Sequence, residues 1–235
     1  MNKTQFLEVL SKTFPLLAKQ YRKFRLYRLS KKETAEVFTD IYKKNTWKSD
    51  ESRSGTGSTL ESTRVISSRL PEIIKELGIQ SMLDLPCGDY HWIKEIDLSI
   101  EKYIGGDIVA ELIQVNNEKY EKQGVSFKQL NLLSDELPDV DLLFCRDCLV
   151  HLSFDDNRNA MANIKKSNIK YLMATTFPNV EQNDNIITGR WRKLNLEKAP
   201  FSFPKPLIII NENNETNEHL KSMGIWRVAD IQEFN

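Results

Sequence analysis

From Glu61 onward, short apolar runs alternate with stretches whose apolar positions recur every three or four residues. The runs Ser81–Leu85, Tyr103–Asp107, Ser126–Leu130, Val140–Cys145 and Ile169–Thr175 predict strands. The periodic stretches Ser62–Leu77, Val109–Lys122 and Phe154–Lys166 predict helices, the first ending at Gly78 and the last capped by Ser153 or Asp155. Another helix is expected to begin over Asp89–Glu95. Strand and helix alternating at this spacing indicate an α/β domain, a parallel sheet with helices on both faces. Beyond Thr176 the rhythm changes. Residues 177–206 are irregular and contain prolines, after which Leu207–Asn211 and Trp226–Ile231 read as strands around a helix over Glu215–Ser222. That ending fits an antiparallel closing pair. Upstream, residues 1–44 have a helical pattern, with Phe6, Leu7, Leu10, Phe14 and Leu17 in step and Pro15 as a kink or break.

Two of the predicted strands end on acids. Ser81-Met-Leu-Asp84 runs into the tight turn Leu85-Pro-Cys-Gly88, and Tyr103-Ile-Gly-Gly-Asp107 follows about twenty residues later. Acidic strand ends so spaced are the pattern of a nucleoside held at the carboxyl edge of a parallel sheet.

Composition narrows the reading. The 235 residues suit one large domain with an appendage, and 40% hydrophobic content is enough for a core. Lys+Arg and Asp+Glu are equal at 33 each, so no nucleic-acid partner is favoured. No apolar run approaches the roughly 20 residues of a membrane span, and the N-terminus lacks the continuous apolar stretch of a secretory signal. Three cysteines make no disulfide framework, so a cytoplasmic location is expected. Cys145-Arg-Asp-Cys148 has the spacing of half a zinc site, but no second cysteine pair exists; the pair reads as structural and no metal is expected.

Charge is uneven locally. Between Val9 and Thr34 the one acid is Glu33, against the basic Lys12, Lys19, Arg22, Lys23, Arg25, Arg28, Lys31 and Lys32, with Tyr21, Phe24 and Tyr27 interleaved. This reads either as a solvated helix face packed on the main domain by its aromatics, or as a contact for a membrane surface, an anionic substrate or another subunit. Residues 45–60 are rich in Ser and Gly yet carry Trp47, Glu51 and Arg53. A linker does not need those side chains, whereas a lid closing on a ligand does.

The series Leu83-Asp-Leu-Pro-Cys-Gly88, Gly106-Asp107, Asn131-Leu-Leu133 and Asp141-Leu-Leu-Phe-Cys-Arg-Asp147 resembles class I S-adenosylmethionine-dependent methyltransferases over about residues 61–235. Asn45-Thr-Trp47, Glu51–Ser58, Cys145–His151, Thr175-Thr-Phe-Pro-Asn179 and Gly189-Arg-Trp-Arg192 further resemble a bacterial methyltransferase subgroup associated with capsule and other surface polysaccharides. The resemblance implies a Rossmann-like, seven-stranded, mostly parallel sheet with an antiparallel last strand. Residues 1–60 would form a helical extension and lid, and residues 61–235 the methyltransferase domain. It implies S-adenosyl-L-methionine as cofactor and a small-molecule acceptor, an oxygen on a sugar or phosphorylated polysaccharide precursor. One departure stands out: the usual glycine-rich turn is reduced to Gly88, with Pro86 and Cys87 in place of small residues. A Gly-x-Gly-x-x-Gly turn is absent, which disfavours a nicotinamide dehydrogenase.

Within this reading Asp84 orients the turn, meets the methionine ammonium or caps a helix; Pro86 stiffens the turn and Gly88 exposes backbone to the cofactor. Asp107 is matched to two ribose hydroxyls, or caps the next helix. Asn131 is placed near the adenine edge or in a plain turn, with Asp89, Trp92, Ile108 and Leu132 as further pocket candidates. For the chemistry, His151 is the preferred base and His91 the second choice. Arg146 can hold the cofactor or an acceptor anion, and Asp147 can orient His151 or an acceptor hydroxyl; the two can equally pair with each other. Trp47, Glu51, His91, Thr176, Arg190 and Trp191 are acceptor-side candidates. Methylation of nitrogen or of a phosphoramidate-type group, an RNA or protein methyltransferase, and a non-catalytic cofactor-binding protein remain as alternatives.

Overall fold

The computed structural model describes residues 14–212 and 220–233. The helical spacing expected at Phe6, Leu7 and Leu10, and residues 215–219 of the expected late helix, including His219, lie outside the described residues.

Seven strands form one sheet: β1 (Ser81–Asp84), β2 (Lys102–Asp107), β3 (Val125–Gln129), β4 (Leu142–Cys145), β5 (Tyr171–Thr176), β6 (Ile208–Asn211) and β7 (Ser222–Arg227). Their order is β3-β2-β1-β4-β5-β7-β6, and β7 runs antiparallel to both β5 and β6. The parallel pairings β1–β2 and β1–β4 reverse the direction of winding at β1. A crevice opens at the carboxyl ends of strands at such a point. Parallel register puts Asp84 beside Gly105 and Phe144, and Asp107 beside Gln129, so both acids reach the same edge.

The helices are α1 (Pro15–Leu29), α2 (Thr34–Lys43), α3 (Leu60–Glu76), α4 (Ala110–Tyr120) and α5 (Phe154–Lys166). Pro15 opens α1 rather than breaking it, because the first helical N–H has no intrahelical partner to lose. Thr59 caps α3 by accepting from the N–H of Ser62 at 3.2 Å, and Ser153 caps α5 by accepting from Asp156 at 3.1 Å. Acids at the start of α5 and Lys165 and Lys166 at its end match the helix dipole.

Strand side chains alternate between two cores. On one face Met82, Tyr103, Leu142, Phe144, Met173 and Ile225 pack with Ile66, Leu70 and Ile73 of α3 and Leu112 and Ile113 of α4. On the other, Leu83, Ile104, Leu143, Leu172 and Trp226 pack with Ala160, Met161 and Ile164 of α5. The irregular segment 177–206 completes this second layer: Leu194, Leu196, Phe201 and Phe203 are buried there.

Three expectations need correction. No α-helix follows β1, since Gly88 and Tyr90 both have φ of 56° and break helical geometry, leaving one short turn of 3₁₀ helix at Ile93–Glu95. The last strand covers Ser222–Arg227, not Trp226–Ile231, because its buried positions begin at Ser222 and Val228–Asp230 turns into 3₁₀ helix. Leu220 and Lys221 are irregular and Ser222 is strand, so the end of the expected late helix is not helical.

Candidate active site

At the carboxyl edge where the sheet reverses lies a cavity of about 450 Å³. Its floor is built from Asp84, Pro86, Gly88, Asp107, Ile108, Asn131, Leu132, Arg146 and Asp147. Its roof comes from Phe38 and Tyr42 of α2, Trp47, the loop Arg53–Ser58 and Trp191.

One half of the cavity is acidic and buried. Asp107 accepts from the backbone N–H of Val109 at 3.0 Å and of Gly88 at 3.2 Å. Burial raises its carboxyl to about 6 against the opposing effect of those N–H groups. Asp84 is 3% exposed, and accepts from the hydroxyl of Tyr103 at 2.7 Å. Burial raises Asp84 to about 7, with the Tyr103 hydrogen bond pulling the other way. Gly88 has a φ of 56°, which favours glycine, and a Cβ there would sit 2.0 Å from Ser54 Oγ and displace that side chain. The carbonyl of Gly88 is pinned by Asn116 Nδ2 at 2.8 Å. Asn131 closes its own turn, its side-chain oxygen accepting from Leu133 at 3.0 Å.

The state of Asp84 has a measurable consequence. Its folded pKa lies above 3.8, so its stabilising contribution is complete below that value and is lost as pH rises through about 7. Asp84→Asn keeps an acceptor for Tyr103 and removes the cost of the buried charge. Thermal or urea melts of cofactor-free protein should show a stability gain that grows from pH 3.8 to about 7 and then levels off. Its size should be about 2–4 kcal/mol. A gain independent of pH would contradict the assignment.

Beside this half, four charges close a ring. Arg146 Nε donates to Glu212 Oε1 at 2.8 Å and Arg146 Nη1 lies 3.3 Å from Asp147 Oδ2. Lys221 Nζ approaches Asp147 Oδ2 at 2.5 Å and Glu212 Oε2 at 3.4 Å. The guanidinium also donates to the carbonyl of Gly57 at 2.8 Å and lies over the ring of Trp92. Burial would raise Asp147, but Lys221 and Arg146 overcome it and hold the carboxyl at about 2. Asp147 has a φ of 52°, held by its N–H donating to Thr175 Oγ1 at 2.8 Å.

His151 follows β4 and lines the cavity. Its Nδ1 lies 2.9 Å from the carbonyl of Arg190. A carbonyl only accepts, so the neutral ring carries its proton on Nδ1 and its lone pair on Nε2. Burial lowers the pKa below 6.5, against the raising effects of the Arg190 carbonyl and Asp147. The Trp47 ring centroid is 5.4 Å from that of His151.

Five candidates do not line the cavity. Asp89 instead ties down the roof loop, accepting from Ser52 Oγ at 2.9 Å and from the N–H of Arg53 at 2.8 Å. His91 Nε2 pairs with Glu51 Oε1 at 3.0 Å, and Glu51 also accepts from the N–H of Leu60 at 2.7 Å. The pair brackets the loop from outside, so the expectation of His91 as second base is corrected. Thr176 Oγ1 accepts from the N–H of Leu196 at 3.1 Å, a packing role. Arg190 contributes its carbonyl to His151 rather than its charge to the cavity. That carbonyl, not Asp147, makes the hydrogen bond that orients the imidazole. Arg192 is buried beneath, donating to the carbonyls of Leu149 and Val150.

Lys221, Glu212 and the α2 aromatics belong to the site although no local motif marks them. The usable signal for the first two was the need of a buried Arg146 for counter-charge.

Residues 83–168 match the model of a family described as a methyltransferase domain. Nothing among curated proteins matches. Among solved structures the chain is similar to human N-acetylserotonin methyltransferase in complex with SAM, at 13% identity over 94% of this chain and 69% of that one, with TM-score 0.57. Magnesium protoporphyrin IX methyltransferase of Synechocystis PCC 6803 is similar at 11% identity, over 83% and 98% of the two chains, with TM-score 0.54. The methyltransferase domain of a bacterial CtHen1 aligns at 13% identity over 70% and 98%, with TM-score 0.52. At such identities the likeness is one of fold. Sheet order and matched segment together give a methyltransferase domain of Rossmann-like fold, with an acid-rimmed cavity at the carboxyl edge of its sheet.

Proposed function

We propose that the protein methylates a hydroxyl oxygen of a small molecule, a sugar or phosphorylated precursor of a surface polysaccharide, in the cytoplasm. The observation that carries the hydroxyl is His151: a neutral imidazole with Nδ1 anchored and Nε2 left as base, on the wall of the cavity. Methylation of an alcohol needs its proton removed, and a base of near-neutral pKa does that best. Residues 1–60 act as extension and lid, and residues 61–235 as the methyltransferase domain.

The residues present fit the cofactor. A cavity of about 450 Å³ is in the range of small-molecule sites. Bound there, S-adenosylmethionine supplies a methyl group already activated for transfer. In this reading Asp107, whose oxygens each hold one backbone N–H, accepts in addition from the two ribose hydroxyls. Gly88 lets the methionyl part approach the backbone, and Asp84 faces its ammonium. Ile108 and Leu132 border the adenine, with Asn131 at its edge. His151 Nε2 takes the acceptor proton while the loop Arg53–Ser58 keeps water out. Trp47 and Trp191 offer flat surfaces that suit the apolar face of a sugar ring. Arg146 Nε and Nη1 are engaged by Glu212, Gly57 and Asp147, while its Nη2 makes no hydrogen bond; the acceptor assignment does not depend on it as an anion trap.

The test is transfer of labelled methyl from S-adenosylmethionine to a panel of nucleotide sugars and phosphorylated sugars, with amino-sugar, phosphoramidate, RNA and peptide acceptors alongside. Label in an O-methyl ether of a sugar is expected. Label confined to an amine, a phosphoramidate, RNA or peptide would reject the reading.

A further inference from the structure

Helix α1 carries apolar residues on two opposite faces. Ala18 is 3% exposed, and Leu26 and Leu29 beside it are half-buried. On the other side Leu16, Leu17, Phe24 and Tyr27 are 76%, 53%, 57% and 61% exposed. At about 100° per residue these four fall within one arc of about 100°, interrupted by one uncharged polar side chain, the exposed Gln20. Lys23 and Lys19 border that arc on one side and Arg28 on the other, all three exposed. The helix sequence PLLAKQYRKFRLYRL contains no acid. An apolar stripe with cationic margins and no negative charge matches the boundary between the acyl chains and the headgroups of an anionic bilayer.

We propose that α1 is an interfacial helix that seats the enzyme on a membrane rich in anionic lipid. Leu16, Leu17 and Phe24 enter the acyl boundary, while Lys19, Lys23 and Arg28 extend along their apolar stems and place their charges among the phosphates. The two leucines and the phenylalanine favour a bilayer over nucleic acid, which would use the cations and leave the leucines in water. No helix among the described residues is long and apolar enough to cross a membrane. The inference does not depend on which acceptor is methylated.

Co-flotation of the full chain with vesicles of phosphatidylcholine, or of phosphatidylcholine mixed with phosphatidylglycerol, tests it. Binding is expected only to the anionic vesicles and should fall as salt is raised. Lys19→Glu/Lys23→Glu/Arg28→Glu and, separately, Leu16→Ser/Leu17→Ser/Phe24→Ser should each lower the bound fraction about tenfold or more. Because all six side chains are exposed, the melting temperature should not change. Absence of binding to anionic vesicles, or binding unchanged in either variant, would overturn the proposal. So would a concentration-dependent dimer lost in the apolar variant, or salt-sensitive binding of RNA in place of vesicles.

Discussion

Asp107→Ala is expected to weaken binding of S-adenosylmethionine and of its demethylated product by roughly a hundred- to a thousandfold, two charge-assisted hydrogen bonds being worth about 3–4 kcal/mol together. The loss should be shared by both ligands, since the ribose is common to them. Asp107→Asn should fall between, because it keeps the shape but offers one accepting oxygen. The same carboxylate holds the N–H groups of Val109 and Gly88, so melting curves must accompany the calorimetry. A pH dependence should appear as well. With its pKa raised to about 6, Asp107 is partly protonated in mildly acid solution. A ribose donating two hydroxyls prefers the ionised form, and cofactor affinity should therefore rise with pH through that value. Equal affinity in wild type and Asp107→Ala would remove the ribose assignment.

His151→Ala is expected to lower kcat by about a hundred- to ten-thousandfold, the usual contribution of a positioned base. The cofactor affinity should be unchanged, since the proposed role of the imidazole is toward the acceptor. Measured as kcat at saturating cofactor, the wild-type profile should fall on the acid side with a midpoint below 6.5, the direction in which burial moves this imidazole. That limb should vanish in the variant. Using kcat at saturation separates the histidine from Asp84 and Asp107, whose titration enters through binding of the cofactor. Activity that survives His151→Ala would instead favour an acceptor nitrogen that needs no base.

The sheet is legible from the chain because buried parallel strands must be apolar and short, and five such runs occur in sequence between Ser81 and Thr175. Asp84 and Asp107 are legible as strand ends for the same reason: each closes an apolar run, and both line the cavity at the carboxyl edge. Where prediction fails, a nonlocal or backbone cause is present. The region after Asp89 looks helical in composition, but the positive φ at Gly88 and Tyr90 interrupts it, and Tyr90 turns into an aromatic cluster with Tyr103, Tyr120 and Phe127. The last strand is displaced because Met223, Ile225 and Trp226 must pair with β5 and bury beneath it, a demand set by distant residues. Glu212 and Lys221 follow the same rule. They lie more than sixty positions from Arg146 and Asp147, and only the closing hairpin brings them together. His91 and Asp89 sit near the Leu85–Gly88 turn in sequence, yet with positive φ at both Gly88 and Tyr90 their side chains meet the segment Glu51–Ser54 instead.

The alternating ring of Arg146, Glu212, Lys221 and Asp147 sums to no net charge. Opposite charges so arranged cancel within a few ångströms, so the ring projects almost no field into the solvent and adds little to long-range attraction of an incoming molecule. Its influence is felt only at contact, as rigidity of the wall against which a visiting molecule is fitted.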